Sequence, residues 1–445
     1  MTAIDPLSYA DAFWADSSPP EAGLMEAAVP RILDKALGGH ELNAEEGARL
    51  FEARGAETGP LLAAADRLRR EAVGETVTYV VNRNINFTNV CVKQCGFCAF
   101  SRGHRAEEGY FLPEEEVLRR AQEAWELGAT EVCVQAGLAP GLDGWHYVKM
   151  LSANKAALPD IHVHGFSPEE VLYGAERADV TVEHYLRALK DAGIGSLPGT
   201  SAEILDDEVR DRISPGRIRT TQWLDLIGTA HKLGIPTTST LMYGHVETSL
   251  HKARHLILLR ELQKETGGFT EFVPLGFINE EAPMWNRPAE PGGRLTRPVG
   301  LRAGPDGIET LKMYAVARIL LHGWISNVQV SWVKEGVKLA QVGLMAGAND
   351  LGGTLINESI STAAGAGHGQ LQRPASLRAL AREMGRVPAE RDTLYHPLRV
   401  FADPDQDPAD PLDTLPAGDP RFGSYHELIR QKRFRFKEWK QGRTE

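Results

Sequence analysis

At 445 residues the chain is too long for a small disulfide-stapled module, and 42% apolar with 24% charged residues is the composition of a soluble globular protein. A net charge of −11 excludes nucleic acid as the main ligand, because phosphate recognition needs a surplus of Lys and Arg on one face. No run of about 18 uncharged apolar residues is present to span a bilayer, and the opening MTAIDPLSYADAFW has no basic patch ahead of an apolar stretch, so a cytoplasmic protein is expected.

In chain order, residues 24–73 read as helices. Asn43 and Glu46 make a capping box, and apolar residues recur at Leu50, Phe51, Leu61, Leu62 and Leu68. Residues 1–74 are therefore a helical lead-in. From residue 75 short β-branched runs alternate with amphipathic stretches, the pattern of a parallel sheet built from βα units. Strands are expected at Thr76–Asn82, Glu131–Ala136, Ile161–Phe166, Ile194–Leu197, Pro236–Tyr243, Phe269–Phe277, Asn327–Trp332 and Asp350–Leu355. Between them, helices are expected at Glu114–Leu127, Gly144–Ala157, Val182–Ala192, Thr221–Leu233, Leu250–Thr266, Gly307–Gly323 and Lys334–Ala346. Eight such units favour an α/β fold of the closed, TIM-like (β/α)8 kind over residues 75–370, although a doubly wound sheet has the same local pattern and only the strand count separates the two. Trp285–Gly304, rich in Pro, Gly and Arg, reads as a long loop before the seventh unit. Residues 371–445 form a C-terminal extension whose basic end, residues 430–440, reads as a solvated helix or tail.

The segment NRNINFTNVCVKQCGFCAF, residues 82–100, follows the first strand, which in a barrel puts it at the C-terminal, active-site face. Three cysteines gathered between positions 91 and 98 are not a disulfide framework and point to a metal or cluster. Three thiolates each bind one iron of a 4Fe-4S cubane, so Cys91, Cys95 and Cys98 leave one iron open. An iron without a protein ligand accepts the amino and carboxylate groups of a small cofactor. The C-x-x-x-C-x-x-C spacing with Phe97 before the last cysteine is that of radical S-adenosylmethionine (SAM) enzymes. A structural zinc with His104 as a further ligand is the alternative. Cys133 reads as a small core residue, since a fourth thiolate would close the open iron.

The likeness extends beyond the cysteines, through TYVVNRNINFTNVC, CGFCAF, GATEVCVQAGL, DIHVHGFSPEEV, GSLPGTSAEILDDEVR, GIPTTSTLMYGHVET, LLRELQKETGGFTEFVPL and GGTLINESISTAAGAGHGQ, and spans about two thirds of the chain. From about Val77 to Gln370 the chain resembles the second radical SAM component of FO synthase, the CofH family of aminoribitylaminouracil–tyrosine hydroxyphenyl transferases. The resemblance implies a 4Fe-4S cluster and SAM as cofactors, reductive cleavage of SAM to methionine and a 5'-deoxyadenosyl radical, and hydrogen abstraction from L-tyrosine. It further implies rupture of the tyrosine Cα–Cβ bond and transfer of the 4-hydroxybenzyl fragment to 5-amino-6-(D-ribitylamino)uracil, leaving 2-iminoacetate. Radical SAM enzymes of the futalosine route to menaquinone share much of the scaffold and are the nearest rival, and an iron–sulfur or zinc scaffold without turnover is the rival of another class.

By the same resemblance, Gln135, Ala136 and Gly137 end the second strand where the superfamily bonds the methionyl amino group, with Ala136 in place of a glycine usual in the family. Glu203 is expected either on the SAM ribose or substrate, or as a helix cap. His245 and Glu247 lie in a strand-end turn like the adenine-contacting one. His162 and His164, two apart on one strand, share a face and suit a uracil or ribityl group, or serve as satisfied barrel-interior polar residues. Asn84, Asn86, Glu271, Asn357, Glu358 and Ser359 complete the expected substrate pocket. No catalytic base is assigned. With one cysteine triplet, closure of the deazaflavin ring is expected to fall to a separate radical SAM subunit, and the electron to an external one-electron reductant.

Overall fold

The computed structural model describes residues 29–93, 95–287, 297–416 and 422–437. The start of the helical lead-in, the middle of the loop at 285–304 and the end of the basic segment at 430–440 therefore lie outside the described residues.

The first strand of the ring is broken into β1, Thr76–Val80, and β2, Asn82–Ile85. β2 pairs in parallel with β3, Glu131–Val134, and β3 with β4, His162–Gly165. Next comes a segment reduced to single bridges, His164 to Ser196 and Leu197 to Thr237, which hands the sheet to β5, Thr237–Tyr243. β5 pairs with β6, Phe269–Gly276. A second bridging segment, Phe272 to Val328 and Gln329 to Asp350, leads to β7, Asp350–Gly353. β7 pairs with β1, and Ile356 bridges to Arg83, so the parallel ring closes. Closure selects the barrel over the doubly wound sheet.

β5 and β6 are buried nearly throughout, as strands covered on both faces must be. The helices start on side-chain caps: Ser167 and Glu170 close a capping box before Pro168–Ala178, and Thr248 caps Ser249–Thr266. In the lead-in, the Asn43–Glu46 capping box starts the helix Ala44–Phe51, which packs on Ser249–Thr266, and Thr58–Val73 packs on Gly307–Leu321. The expected helix Lys334–Ala346 is two short ones, Trp332–Glu335 and Val337–Gly343, because Gly336 turns the chain at φ 79°.

Part of the C-terminal extension belongs to the sheet. β8, Val387–Arg391, lies parallel to β1 on the side that β1 turns away from β7, and β9, Pro397–Val400, returns antiparallel to it. The end of β8 places Arg391 at the barrel interior, and the turn that follows brings Tyr395 beside it. There Arg391 grips Asp350 through two nitrogens at 2.6 and 3.0 Å, and the Tyr395 hydroxyl donates to Glu271. These four side chains form a charged floor.

Candidate active site

Backbone contacts seat the cysteine loop on both sides. Gly137 at the end of β3 donates to the Thr88 carbonyl at 2.8 Å, and Val92 donates to the Leu138 carbonyl at 2.9 Å. A Cβ on Gly137 would meet the Val90 carbonyl oxygen at 2.4 Å, so only glycine lets the strand end press against the loop. On the other side Gly96 donates to the Ile213 carbonyl and accepts from Met284, both at 2.7 Å.

All three thiols are free and line one cavity of ≈ 400 Å³ that descends through the barrel to Arg391. Burial pushes the Cys95 thiol up to about 12 and raises Cys98 as well, so neither is an activated nucleophile. Arg217 faces the Cys95 thiol, with Nη1 3.7 Å from its Sγ. The same guanidinium bonds Glu169 at 3.1 Å, Glu203 at 3.0 Å and the Ser201 hydroxyl at 2.5 Å. Among the described residues no group of three or more His, Cys, Asp or Glu gathers around a point as one metal ion requires.

Gln135, Ala136 and Gly137 form the neighbouring edge of this wall. Asn86 Nδ2 donates to the Gln135 carbonyl at 2.8 Å, Thr200 donates to Gln135 Oε1 at 3.0 Å, and the Ala136 amide donates to Glu170 Oε1 at 2.9 Å. Glu170 also accepts from the Ser167 amide and hydroxyl, and burial pushes its carboxyl up to about 7. Glu203 lines the cavity with backbone at φ 40°, paired to Arg217 and, at 3.6 Å, to Arg210.

Deeper in, Asn84, Glu131, Cys133, His164, Glu271, Gln329 and Glu358 line the wall. Asn84 Oδ1 is buried with no hydrogen-bond partner in the protein. His162 Nε2 and His164 Nδ1 both meet the Ser196 hydroxyl at 2.7 Å, so the two rings do share a face. Burial lowers His164 to about 4, keeping it neutral. Glu271 is pushed up to about 7, chiefly by burial, with Arg391 opposing.

Six of the expected site residues do not reach the cavity wall. His162 lies behind His164, packed on Gly195, whose added Cβ would meet the ring at 2.5 Å. Asn86 faces backward to hold Gln135. Asn357 is consumed by Arg83, which donates to its Oδ1 at 2.6 Å, and by the Phe422 carbonyl. His245 and Glu247 fold into their own turn: Glu247 accepts the Gly244 and His245 amides, each at 2.8 Å, and pairs with Arg302 at 2.5 Å, while the His245 ring meets the Met242 carbonyl at 3.0 Å. Ser359 likewise donates to the Asn357 carbonyl at 3.0 Å.

Sequence reasoning missed Glu169, Glu170, Arg217, Lys334 and Arg391. Only Glu170 had a local sign, the Ser167-Pro-Glu-Glu capping pattern. The others are placed by contacts far away in the chain.

The radical SAM superfamily model matches residues 85–257, and that of the CofH/MqnC C-terminal region matches residues 267–403. The 5-amino-6-(D-ribitylamino)uracil--L-tyrosine 4-hydroxyphenyl transferase of Methanothermobacter thermautotrophicus is 47% identical over 83% of this chain and 97% of its own. That of Methanocaldococcus jannaschii is 50% identical over 74% of this chain and 90% of its own, and that of Methanopyrus kandleri 46% over 84% and 98%. In fold, the chain is similar to the FeFe-hydrogenase maturase HydG from Carboxydothermus hydrogenoformans, with a TM-score of 0.61 and 17% identity over 82% of this chain and 80% of that one. It is also similar to methylornithine synthase (PylB), at 0.56 and 18% over 80% and 97%.

Proposed function

The chain belongs to the radical SAM family of 5-amino-6-(D-ribitylamino)uracil–L-tyrosine 4-hydroxyphenyl transferases, and from that membership we propose that it joins the 4-hydroxybenzyl group of L-tyrosine to 5-amino-6-(D-ribitylamino)uracil in making the deazaflavin FO. The observation that carries the reading is that Cys91, Cys95 and Cys98, all free, line the same cavity as a deep polar wall.

The donor set fits a 4Fe-4S cluster. Burial holds the Cys95 and Cys98 thiols protonated until a metal supplies the charge that favours thiolate, and Arg217 offsets the negative charge left over. Cys133, on β3, is engaged by Gln135 Nε2 at 3.3 Å and is not needed as a ligand. Cys91, Cys95 and Cys98 would hold the cluster, with Gln135 to Gly137 and Glu203 beside SAM. Bound there, these cofactors supply one-electron reductive cleavage of a sulfonium and hence a carbon-centred radical.

The protein's own work is positioning and exclusion. Asn86, Thr200 and Glu170 hold the edge at Gln135–Gly137 through three hydrogen bonds, the positioning that radical chemistry between bound partners requires. Val273, Leu275, Phe277, Val333, Leu355 and Ile360 make an apolar wall that keeps water from the reacting centre. His164, Gln329, Glu131 and Asn84 present hydrogen-bonding groups suited to uracil and ribityl hydroxyls. An external one-electron reductant and a separate ring-closing subunit complete the scheme, in the cytoplasm. No helix among the described residues is long and apolar enough to cross a membrane.

The CofH/MqnC region model is shared by name with a menaquinone-route family, whereas the curated relatives carry the transferase name. Anaerobic assay of the reconstituted chain decides between them. Tyrosine consumption that requires ribitylaminouracil supports the transferase, and consumption of futalosine-route substrates instead overturns it. Finished FO from this chain alone would contradict the separate partner.

A further inference from the structure

Four cationic side chains line the cavity: Lys93, Arg217, Lys334 and Arg391. Three are spent within the protein. Lys93 pairs with Glu169 at 3.1 Å, Arg217 with Glu169 and Glu203, and Arg391 with Asp350. Lys334 sits in the short helix Trp332–Glu335, on the C-terminal side of the Val328–Gln329 bridge, and its ammonium makes no hydrogen bond or ion pair with a described residue. Neither neighbouring carboxylate bonds it: Glu358 accepts the Ile360 and Ser361 amides at 3.0 and 2.9 Å, and Glu335 accepts the Tyr314 hydroxyl on one oxygen while its other oxygen is buried without a hydrogen-bond partner.

An unpaired ammonium on an otherwise acid-lined wall is costly unless a ligand anion meets it. The wall also carries Glu131, Glu169, Glu170, Glu203, Glu271 and Glu358, and with the other three cations paired, Lys334 is the cation left among the described lining residues to receive an anionic group. Of the reactants in the proposed function, ribitylaminouracil has no carboxylate, and the SAM carboxylate is expected on the open iron. One anion is left. Resting on that functional reading, we propose that Lys334 anchors the α-carboxylate of the amino-acid substrate, placing its Cα–Cβ bond on the cluster side of the cavity. Burial holds the free amine below the usual lysine range, with Glu358 opposing, and a bound carboxylate reverses that cost.

The test is equilibrium binding of radiolabelled L-tyrosine and of tyramine, which lacks the carboxylate, to the cluster-loaded, SAM-bound protein without reductant. Wild type should prefer tyrosine to tyramine by about 30-fold or more, the worth of a charge-assisted hydrogen bond in a desolvated site. Lys334→Met should lose that preference while keeping tyramine and ribitylaminouracil affinity, and Lys334→Arg should restore most of it. Equal wild-type affinity for tyrosine and tyramine overturns the assignment without needing any variant to fold. So does a Lys334→Met protein that binds tyrosine as wild type does, or one that loses SAM instead. Wild type that binds neither tyrosine nor tyramine sinks the functional reading, and this assignment with it.

Discussion

Arg217 and Cys95 are 122 positions apart in the chain, and Arg217 Nη1 stands 3.7 Å from Cys95 Sγ in the fold. A fixed positive charge beside a cluster ligand favours the state that has taken up an electron. Arg217→Met should therefore move the cluster reduction potential to a more negative value, read by an EPR-monitored redox titration. It also takes one partner from Glu169, which keeps Lys93, and one from Glu203, which keeps Arg210, so a stability loss of about 1–3 kcal/mol is expected in the same variant.

Iron content separates ligands from neighbours. Cys95→Ala should lose the 4Fe-4S spectrum on reconstitution, whereas Cys133→Ala should reconstitute with full iron, because its sulfur contacts only Gln135 among the polar groups around it. Iron lost from the Cys133 variant would make it a fourth ligand and close the iron corner.

Gly137→Ala should damage the site more than the fold. The added methyl meets the Val90 carbonyl oxygen at 2.4 Å and drives the β3 edge off the cysteine loop, at a cost of about 1–3 kcal/mol. SAM affinity, measured calorimetrically, should fall with it. Gly59→Ala, in a helix with nothing within 4 Å of the new Cβ, should be neutral or slightly stabilising.

The β8–β9 hairpin predicts its own importance. Arg391→Met leaves Asp350, fully buried, without its bidentate partner, so unfolding free energy should drop by about 3–5 kcal/mol in a denaturant titration. A variant as stable as wild type would show that the floor is ornamental.

Glu170 gives a pH dependence of definite sign. Its folded pKa of about 7 lies above the ordinary carboxyl value of 4.5, chiefly through burial. The folded state thus binds the extra proton, and the stability it brings is complete at low pH and lost as pH rises through about 7. Glu170→Gln cannot ionise. Its stability relative to wild type should rise by about 1–3 kcal/mol between pH 5 and pH 8, and a pH-independent difference would contradict the assignment.

The barrel was legible because βα alternation is a local pattern, and the cysteine triplet because its spacing is local too. The two strands that shrank to bridges show where local reading fails. Ile194–Leu197 is hemmed in by Gly193 at φ 94°, by Gly195 pressed on His162 and by Pro198, so only Ser196 and Leu197 reach their neighbours. β8 reads as a polar surface run, Val-Pro-Ala-Glu-Arg. Its Arg391 is 2% exposed only because Asp350, 41 residues away, receives it. His245 and Glu247 reached the turn expected of them, but Arg302 and the turn's own amides claim their side chains. Lys334 gave no sign in the sequence, since its isolation follows from what its neighbours bond to.

In the proposed function one cavity, carrying all three thiols, brings tyrosine and the aminouracil together for carbon–carbon bond formation. The decisive experiment is anaerobic turnover with SAM, ribitylaminouracil and tyrosine labelled with carbon-13 at Cβ, read by mass spectrometry of the products. Labelled carbon is expected in a hydroxybenzyl adduct of the aminouracil, formed together with 5'-deoxyadenosine. Label that stays in tyrosine while 5'-deoxyadenosine accumulates, or no 5'-deoxyadenosine from fully clustered protein, would contradict it.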